Sequence, residues 1–277
     1  MFKGSVSVGL PIFNEYEYIE ETIQSLKRQS WKDVCFLISD NCSDDGTFEL
    51  CQQLVAGDAR FKLYRQEKNI GAIANFEFLF REANTEFFMW LGGHDYISDG
   101  YIERAVLMLM DHDELSMVCG VPCAVRDDDE VDVMSEAIYR FSPKRIGRYL
   151  ESVRYINNCT FFHSVFRSNN LVNFEFRKKT GADNVIISHL LWFGNVHFME
   201  NEFYYRRYFE HRTETQSKRI SGNDEYLSKY DYICYYLDDF ATLYHGDERM
   251  KSYVENEIIH ALQKNLGVQA LMPNDLI

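Results

Sequence analysis

Asp95 ends the run Phe87-Phe-Met-Trp-Leu-Gly-Gly-His-Asp95, in which an apolar stretch meets two glycines and then an imidazole next to a carboxylate. An apolar run of that length predicts a buried strand, and the glycines let the backbone turn sharply and approach a ligand closely. Asp95 is therefore expected at the end of a strand, which is the edge where open α/β sheets bind ligands. A carboxylate with an imidazole beside it can coordinate a divalent cation, and such a cation would neutralise a phosphorylated substrate. Seen alone, the run from Phe87 to Tyr96 is also compatible with a polar turn after a core strand. A second pair of spaced acids, Asp127 and Asp129, lies in the dense run Arg126-Asp-Asp-Asp-Glu130, where mutual repulsion makes a solvated loop the simpler reading.

Regularly alternating elements surround these residues. Ser5 to Leu10 reads as an apolar strand stopped by Pro11, and Glu15 to Arg28 places Tyr18, Ile19, Ile23 and Leu26 at helical spacing. Strands are expected at 34–39, 61–65, 87–91 and 116–125, and helices at 47–55, through Glu82 and at 102–110. Repeated strand-helix alternation implies parallel strands joined by crossovers, an α/β class. The alternation is less regular after residue 130. From Asp224 on, Tyr226, Tyr230, Ile233, Leu237, Phe240 and Tyr244, then Met250, Val254, Ile258, Ala261 and Leu262, recur every three to four residues. This predicts a helical hairpin closed at His245-Gly246. Its tyrosine-rich stripe is expected to serve mainly as core packing, with a homodimer or membrane contact as the other reading.

The 277 residues fit a single large α/β unit, and the 46% hydrophobic content supplies a sizeable core. No apolar run is long enough to span a membrane and no leader is evident, so a cytoplasmic protein is expected. Seven cysteines without a C-x-x-C pair argue for reduced thiols rather than disulfides or zinc. The net charge of −14 is uneven: residues 1–130 carry 11 basic against 24 acidic side chains, whereas residues 131–222 carry 14 against 9. Nucleic acid is an unsuitable main partner for such a chain, which lacks a broad basic surface. The basic middle segment would instead face phosphates or anionic headgroups at a membrane periphery.

Four segments, in order, resemble the nucleotide-binding half of family 2 glycosyltransferases with the GT-A fold. They are Val6-Ser-Val-Gly-Leu-Pro-Ile-Phe-Asn-Glu15, Ser39-Asp-Asn-Cys-Ser-Asp-Asp-Gly-Thr47, Asn69-Ile-Gly-Ala-Ile-Ala-Asn75, and the turn from Leu91 to Asp95. The resemblance covers about residues 5–115. It implies a Rossmann-like, mostly parallel sheet flanked by helices, a nucleotide-diphosphate-sugar donor, a divalent metal (Mn2+ or Mg2+) and inversion at the anomeric carbon. The expected organisation is a catalytic domain over 1–222, with a donor half at about 1–115 and an acceptor half at about 116–222, followed by a C-terminal helical extension over 223–277. In the implied site, Pro11, Phe13 and Glu15 meet the base and ribose, and Asp40 accepts the imide hydrogen of a uracil-like base. Asn69, Gly71 and Asn75 fall in a loop near the nucleotide, Gly71 and Asn75 being equally consistent with purely structural roles. Asp44 and Asp45 are better suited to shaping the turn and capping the next helix.

The chain departs from the family at the metal turn. The common Asp-x-Asp-Asp becomes Gly92-Gly-His-Asp95, so His94 replaces the middle acid and Asp95 is the remaining metal ligand. In Thr180-Gly-Ala-Asp-Asn-Val-Ile-Ile-Ser-His-Leu-Leu-Trp-Phe-Gly194, Asp183 falls where the resemblance puts the general base, with a helix N-cap as the alternative, and Ala182 replaces the usual first acid. Tyr205-Arg-Arg-Tyr-Phe-Glu-His-Arg212 resembles the basic loop near the diphosphate, where His211 or Arg212 would neutralise charge. The expected partners are a UDP-type sugar donor and a surface-glycan acceptor, lipid-linked in the simplest case. Two rivals are a non-catalytic sugar-nucleotide or glycan-binding protein on the same fold and a nucleotidyltransferase. The latter would need a glycine-rich basic phosphate loop near the first strand, which is lacking.

Overall fold

The structure is a computed structural model and describes residues 3–126, 130–177, 181–209 and 227–267. Among the described residues, nine strands form one sheet. The first half supplies β1 (Val6–Ile12), α1 (Ile19–Lys27), β2 (Val34–Asp40), α2 (Thr47–Val55), β3 (Phe61–Arg65), α3 (Ala72–Glu82) and β4 (Phe87–Trp90). β1 pairs in parallel with both β2 and β4, and β2 with β3. Val6, Val8, Leu10, Phe36, Ile38, Phe87 and Met89 are buried, as expected of parallel strands covered on both faces.

β1 runs two residues past the predicted stop, with Pro11 opposite Ser39 and Ile12 opposite Asp40. The Gly9 carbonyl accepts the Leu91 amide on the β4 side, and two residues further on Pro11 faces the same side. There the pairing with β4 has already ended at Gly9 and Trp90, so the missing amide of Pro11 costs the ladder nothing.

The second half adds β5 (Tyr96–Ile97), α4 (Tyr101–Asp111), β6 (Leu115–Val125), β7 (Val131–Val133), α5 (Arg145–Tyr155), β8 (Val165–Arg167), α6 (Asp183–Phe193) and β9 (Asn195–Arg207). The order across the sheet is β3-β2-β1-β4-β8-β6-β9-β5, with β7 on β6. β8 is antiparallel to both β4 and β6, which joins the regular parallel half to the irregular half. β9 runs parallel to β6 and carries its last residues toward the turn after β4.

The C-terminal hairpin is α7 (Lys229–Leu243) and α8 (Glu248–Leu266). Ser228 caps α7 by accepting the Asp231 amide at 3.0 Å, and Asp247 caps α8 by accepting the Arg249 and Met250 amides. Ile233, Tyr235, Tyr236, Phe240, Val254 and Ile258 join one apolar cluster with Tyr149 of α5 and Val185 and Leu190 of α6. Of the predicted stripe, Ile233, Phe240, Val254, Ile258, Ala261 and Leu262 are core and Leu237 and Tyr244 pack against it, while Tyr230 and Met250 are exposed and Tyr226 lies outside the described residues; Tyr253, off the stripe, is also exposed. Inside this core, Asp239 accepts from the Tyr149 hydroxyl at 3.0 Å and lies 2.6 Å from Nδ1 of His189, tying α7 to α5 and α6.

Candidate active site

A cavity of about 200 Å³ opens at the carboxyl ends of β1, β2 and β4. Its walls include Pro11, Phe13, Glu15, Asn41, Asn75, Phe76, Gly92, Gly93, His94 and Asp95 from the first half. His163, Arg206, Arg207 and Tyr208 complete it from the second. The loops after β1 and β2 are locked to each other. The Asn14 amide donates to Ser43 Oγ at 2.9 Å, the Asp44 amide donates to Asn14 Oδ1, and the Glu15 amide donates to Thr47 Oγ1. Asn14 (φ 55°) and Cys42 (φ 66°) both adopt the left-handed conformation, uncommon for residues other than glycine and typical of loops held against a ligand. Asp45 accepts the amide and hydroxyl of Thr47 and the Tyr16 amide, the turn-forming role expected of it.

Two carboxylate oxygens stand out. Glu15 Oε2 and Asp40 Oδ1 are buried without a hydrogen-bond partner among the described residues. Leaving a buried acceptor unpaired costs about 1–3 kcal/mol. Glu15 lines the cavity, whereas Asp40 is fully buried behind it and is not part of the lining. The second oxygen of Asp40 accepts the Ser43 amide at 3.0 Å, with Arg65 at 3.8 Å. Burial pushes the Asp40 carboxyl up from its ordinary value despite these two partners. Asn69, Gly71 and Asn75 act chiefly as a frame. Asn69 Oδ1 accepts from Asn41 and from the Gly71 amide, and Asn75 exchanges hydrogen bonds with the Ser39 side chain and carbonyl. Asn75 also faces the cavity, while Gly71, at φ 87° and ψ 162°, opens α3 in a conformation that favours glycine.

Glycines at 92 and 93 are required by space. A Cβ at Gly92 would stand 2.7 Å from Asp95 Oδ2, and one at Gly93 would stand 2.8 Å from Ile12 Cγ2. The tight turn brings the His94 Nδ1 to 3.1 Å from Glu15 Oε1 and its Nε2 to 3.8 Å from Asp95 Oδ1. Asp95 is 2% exposed and receives two hydrogen bonds from β9: the Tyr204 hydroxyl at 2.5 Å and the Arg207 amide at 2.9 Å. Burial alone would raise its pKa, but His94, His163, the Tyr204 hydroxyl and Arg206 together hold it below the ordinary carboxylate value. Asp95 thus splices β9 onto the strand-end turn as well as facing the cavity.

Among the described residues, no group of three or more His, Cys, Asp or Glu side chains is arranged to hold a metal ion. A magnesium-type ion, however, keeps several waters and takes much of its coordination from substrate phosphates, needing only one or two protein carboxylates. Each oxygen of Asp95 has one protein donor and keeps a lone pair. The residues therefore fit a cation that arrives with a diphosphate better than one resident in the free protein.

The cationic side of the cavity is Arg206, whose guanidinium donates to Thr160 Oγ1 at 3.0 Å. Arg207 is engaged by the chain itself, donating to the His94 carbonyl and pairing with Glu21. His211 and Arg212, expected near the diphosphate, lie outside the described residues. Asp183 is the first residue of α6, with Ala182 at the N-cap. It does not line the cavity. It stands beside Cys159, where its charge and burial of the thiol raise the cysteine pKa, and Cys159 adjoins the Thr160 that holds Arg206. The sequence reading missed His163. Its Nδ1 lies 3.0 Å from the Trp90 carbonyl, and its ring stacks on Tyr204 with centroids 4.9 Å apart. Burial lowers its pKa to about 4, with Asp95 opposing and Arg206 assisting, so the ring is neutral near pH 7. No local motif marks this histidine; only the antiparallel placement of β8 brings it to the cavity.

The parallel first half, the cavity at its carboxyl edge and the mixed second half together form the GT-A arrangement. Residues 7–170 match glycosyl transferase family 2, and the chain belongs to that family. It is 28% identical over 131 residues to TuaG of Bacillus subtilis (strain 168), a glycosyltransferase named for teichuronic acid biosynthesis. That match covers 47% of this chain and 52% of TuaG, so the chain spans about half the length of such a relative. A Campylobacter jejuni GalNAc(5)-diNAcBac-PP-undecaprenol beta-1,3-glucosyltransferase is 31% identical over 96 residues, covering 34% of this chain and 31% of that protein. In structure, 96% of the chain superposes on 72% of Staphylococcus aureus TarS 1-349 in complex with UDP, with a TM-score of 0.68 and 15% identity. The likeness extends to the same protein in complex with UDP-GlcNAc, at a TM-score of 0.68 and 16% identity. Among the described residues, no helix is long and apolar enough to cross a membrane.

Proposed function

We propose that this chain transfers a sugar, with inversion, from a UDP-type donor to a hydroxyl of a surface glycan, in the simplest case one linked to a lipid. The observation that carries the reading is the pair of buried, unpaired carboxylate oxygens on Glu15, which lines the cavity together with Arg206, and on Asp40, which lies behind the lining next to the cavity residue Asn41. Acceptors for imide and hydroxyl hydrogens together with a cation complement a nucleoside joined to a diphosphate. The named substrates of the Bacillus and Campylobacter relatives support a cell-surface acceptor. The UDP and UDP-GlcNAc complexes of TarS support the donor class.

In this mechanism Asp40 Oδ1 accepts the base imide hydrogen and Glu15 Oε2 accepts from a ribose hydroxyl, while Phe13 and Pro11 line the nucleoside end. The acceptor hydroxyl attacks the anomeric carbon opposite the diphosphate; a new C–O bond forms as the bond to the diphosphate oxygen breaks. The family resemblance assigns the proton of the attacking hydroxyl to Asp183, which stands outside the cavity lining, so the acceptor would approach past Cys159 and Thr160. Arg206 meets the departing negative charge, with His211 or Arg212 in support. A Mn2+ or Mg2+ ion, held by Asp95 when bound, would supply further neutralisation of the diphosphate. The exposed Tyr253 and the basic residues around Arg145 suit a peripheral membrane contact for a lipid-linked acceptor; a homodimer through the same helices is the other expected assembly.

Incubation with a panel of UDP-sugars distinguishes this reading from its rivals. Release of UDP supports transfer chemistry, release of pyrophosphate from UTP and a sugar 1-phosphate in a parallel incubation indicates a nucleotidyltransferase, and donor binding without turnover indicates a sugar-nucleotide-binding protein.

A further inference from the structure

One polar atom on the cavity wall is unused by the mechanism above. His163 Nδ1 faces the Trp90 carbonyl at 3.0 Å, and a carbonyl can only accept, so the ring proton resides on Nδ1. In a neutral imidazole the other nitrogen, Nε2, is then a bare acceptor. It has no hydrogen-bond partner among the described residues, and the residue lines the cavity together with Asp95 and Arg206. The ring is held by three contacts. It stacks on Tyr204 with an interplanar angle of 10°, meets Phe162 edge-on at 5.3 Å, and is anchored at Nδ1. An acceptor held this rigidly loses little entropy on pairing, which makes it a selective group.

A bare lone pair repels the oxygens of a phosphate and demands a hydroxyl or an amide N–H. Beside Arg206, which suits the diphosphate, the ligand group that can supply such a donor is the transferred sugar. We infer that His163 is a specificity-determining residue whose Nε2 accepts a hydrogen bond from a hydroxyl or amide N–H of the donor sugar. The inference rests on the nucleotide-sugar reading of this cavity. It assigns the sugar to the part of the cavity between His163 and Asp95.

Calorimetric titration with UDP and with UDP-GlcNAc, UDP-glucose and UDP-galactose tests it. His163→Asn keeps a donor toward the Trp90 carbonyl and removes the acceptor at the Nε2 position, whereas His163→Gln places an amide oxygen near that position. The UDP-sugar that binds the wild-type protein most tightly should lose about five- to tenfold in affinity for His163→Asn, the worth of one net hydrogen bond, with UDP itself unchanged. His163→Gln should recover most of the loss. Equal weakening of UDP and UDP-sugar, or an unchanged ratio, would overturn the assignment. Should the Asn variant not fold, monodeoxy analogues of the preferred UDP-sugar on the wild-type protein decide it: one position should cost the same factor, and no sensitive position would refute it. If UDP does not bind the wild-type protein at all, the nucleotide-sugar reading itself fails, and the inference falls with it.

Discussion

Glu15 and His94, seventy-nine positions apart, meet at the mouth of the cavity with Oε1 3.1 Å from Nδ1, while the other Glu15 oxygen is buried with no partner. One carboxylate thus both orients the imidazole that occupies an acidic position of the family turn and keeps an acceptor in reserve. Glu15→Gln separates the two tasks. If Oε2 awaits a nucleotide hydroxyl, UDP affinity should fall about fivefold or more, since hydrogen bonds to a charged acceptor exceed neutral ones. The melting temperature should hold or rise, because the buried oxygen without a partner no longer carries charge. Calorimetry and thermal melting read the two outcomes, and unchanged UDP binding would make Glu15 an orienting residue only.

Asp95→Asn should have two effects. Asn lacks the charge and can accept at one atom only, so one of the bonds from Tyr204 and Arg207 is lost. A penalty of about 1.5–3 kcal/mol in unfolding free energy is expected for a buried, charge-assisted hydrogen bond. Any enhancement of UDP binding by manganese should disappear. An enhancement that persists in the variant would remove Asp95 from the metal-binding role and leave it as the splice between β9 and the turn.

Asp183→Asn is expected to lower turnover about a hundredfold or more, the usual worth of a general base, with UDP-sugar binding and melting temperature little changed. Ala182, not Asp183, holds the N-cap position of α6, and Asn keeps the shape of the side chain, so a folding defect is the unexpected result. Near wild-type turnover would move the search for the base elsewhere.

The pH dependence of stability should carry the signature of His163. Its folded pKa of about 4 lies below the ordinary 6.5, so between those values the unfolded chain binds the extra proton. Stability from this group is complete above about pH 6.5 and is lost as pH falls toward 4. From pH 7 to pH 5 that loss is about 1–2 kcal/mol by linkage. Urea unfolding of wild type and His163→Asn at both pH values should show the variant with the smaller decline. Parallel declines would mean that the imidazole is free to protonate in the folded protein.

Asp239→Ala removes the acceptor shared by Tyr149 and His189 in the core beneath the hairpin. Loss of a buried charged partner of this kind costs about 3 kcal/mol or more. Hydrogen exchange should show the protection of α7 falling more than that of β1 or β2. Uniform loss of protection would instead mean that the hairpin and the sheet unfold as one unit.

The parallel half of the fold was legible because its signals are local: alternating apolar runs, turn residues and loops read in sequence order. Pro11 was misread for the same reason, since its tolerance within β1 depends on where a neighbouring strand stops pairing. The first-half site residues were legible as loop motifs after β1, β2 and β4. What sequence could not reveal is the wall built by β8 and β9. His163 reaches the cavity through antiparallel pairing, and Tyr204 and Arg207 reach Asp95 over more than a hundred residues. Such contacts leave no spacing pattern, because the partners share neither a turn nor a helix face.

The turn at Gly92 bears on how this chain could change in the future. Restoring the family acid at that position looks like a single substitution, yet its Cβ would collide with Asp95 Oδ2 at 2.7 Å. Asp95 could yield only by releasing Tyr204 and the Arg207 amide, which would unfasten β9 from the turn. The altered turn is thus a ratchet: reversal requires concerted changes in two strands far apart in the gene, and a one-residue reversion should be poorly tolerated.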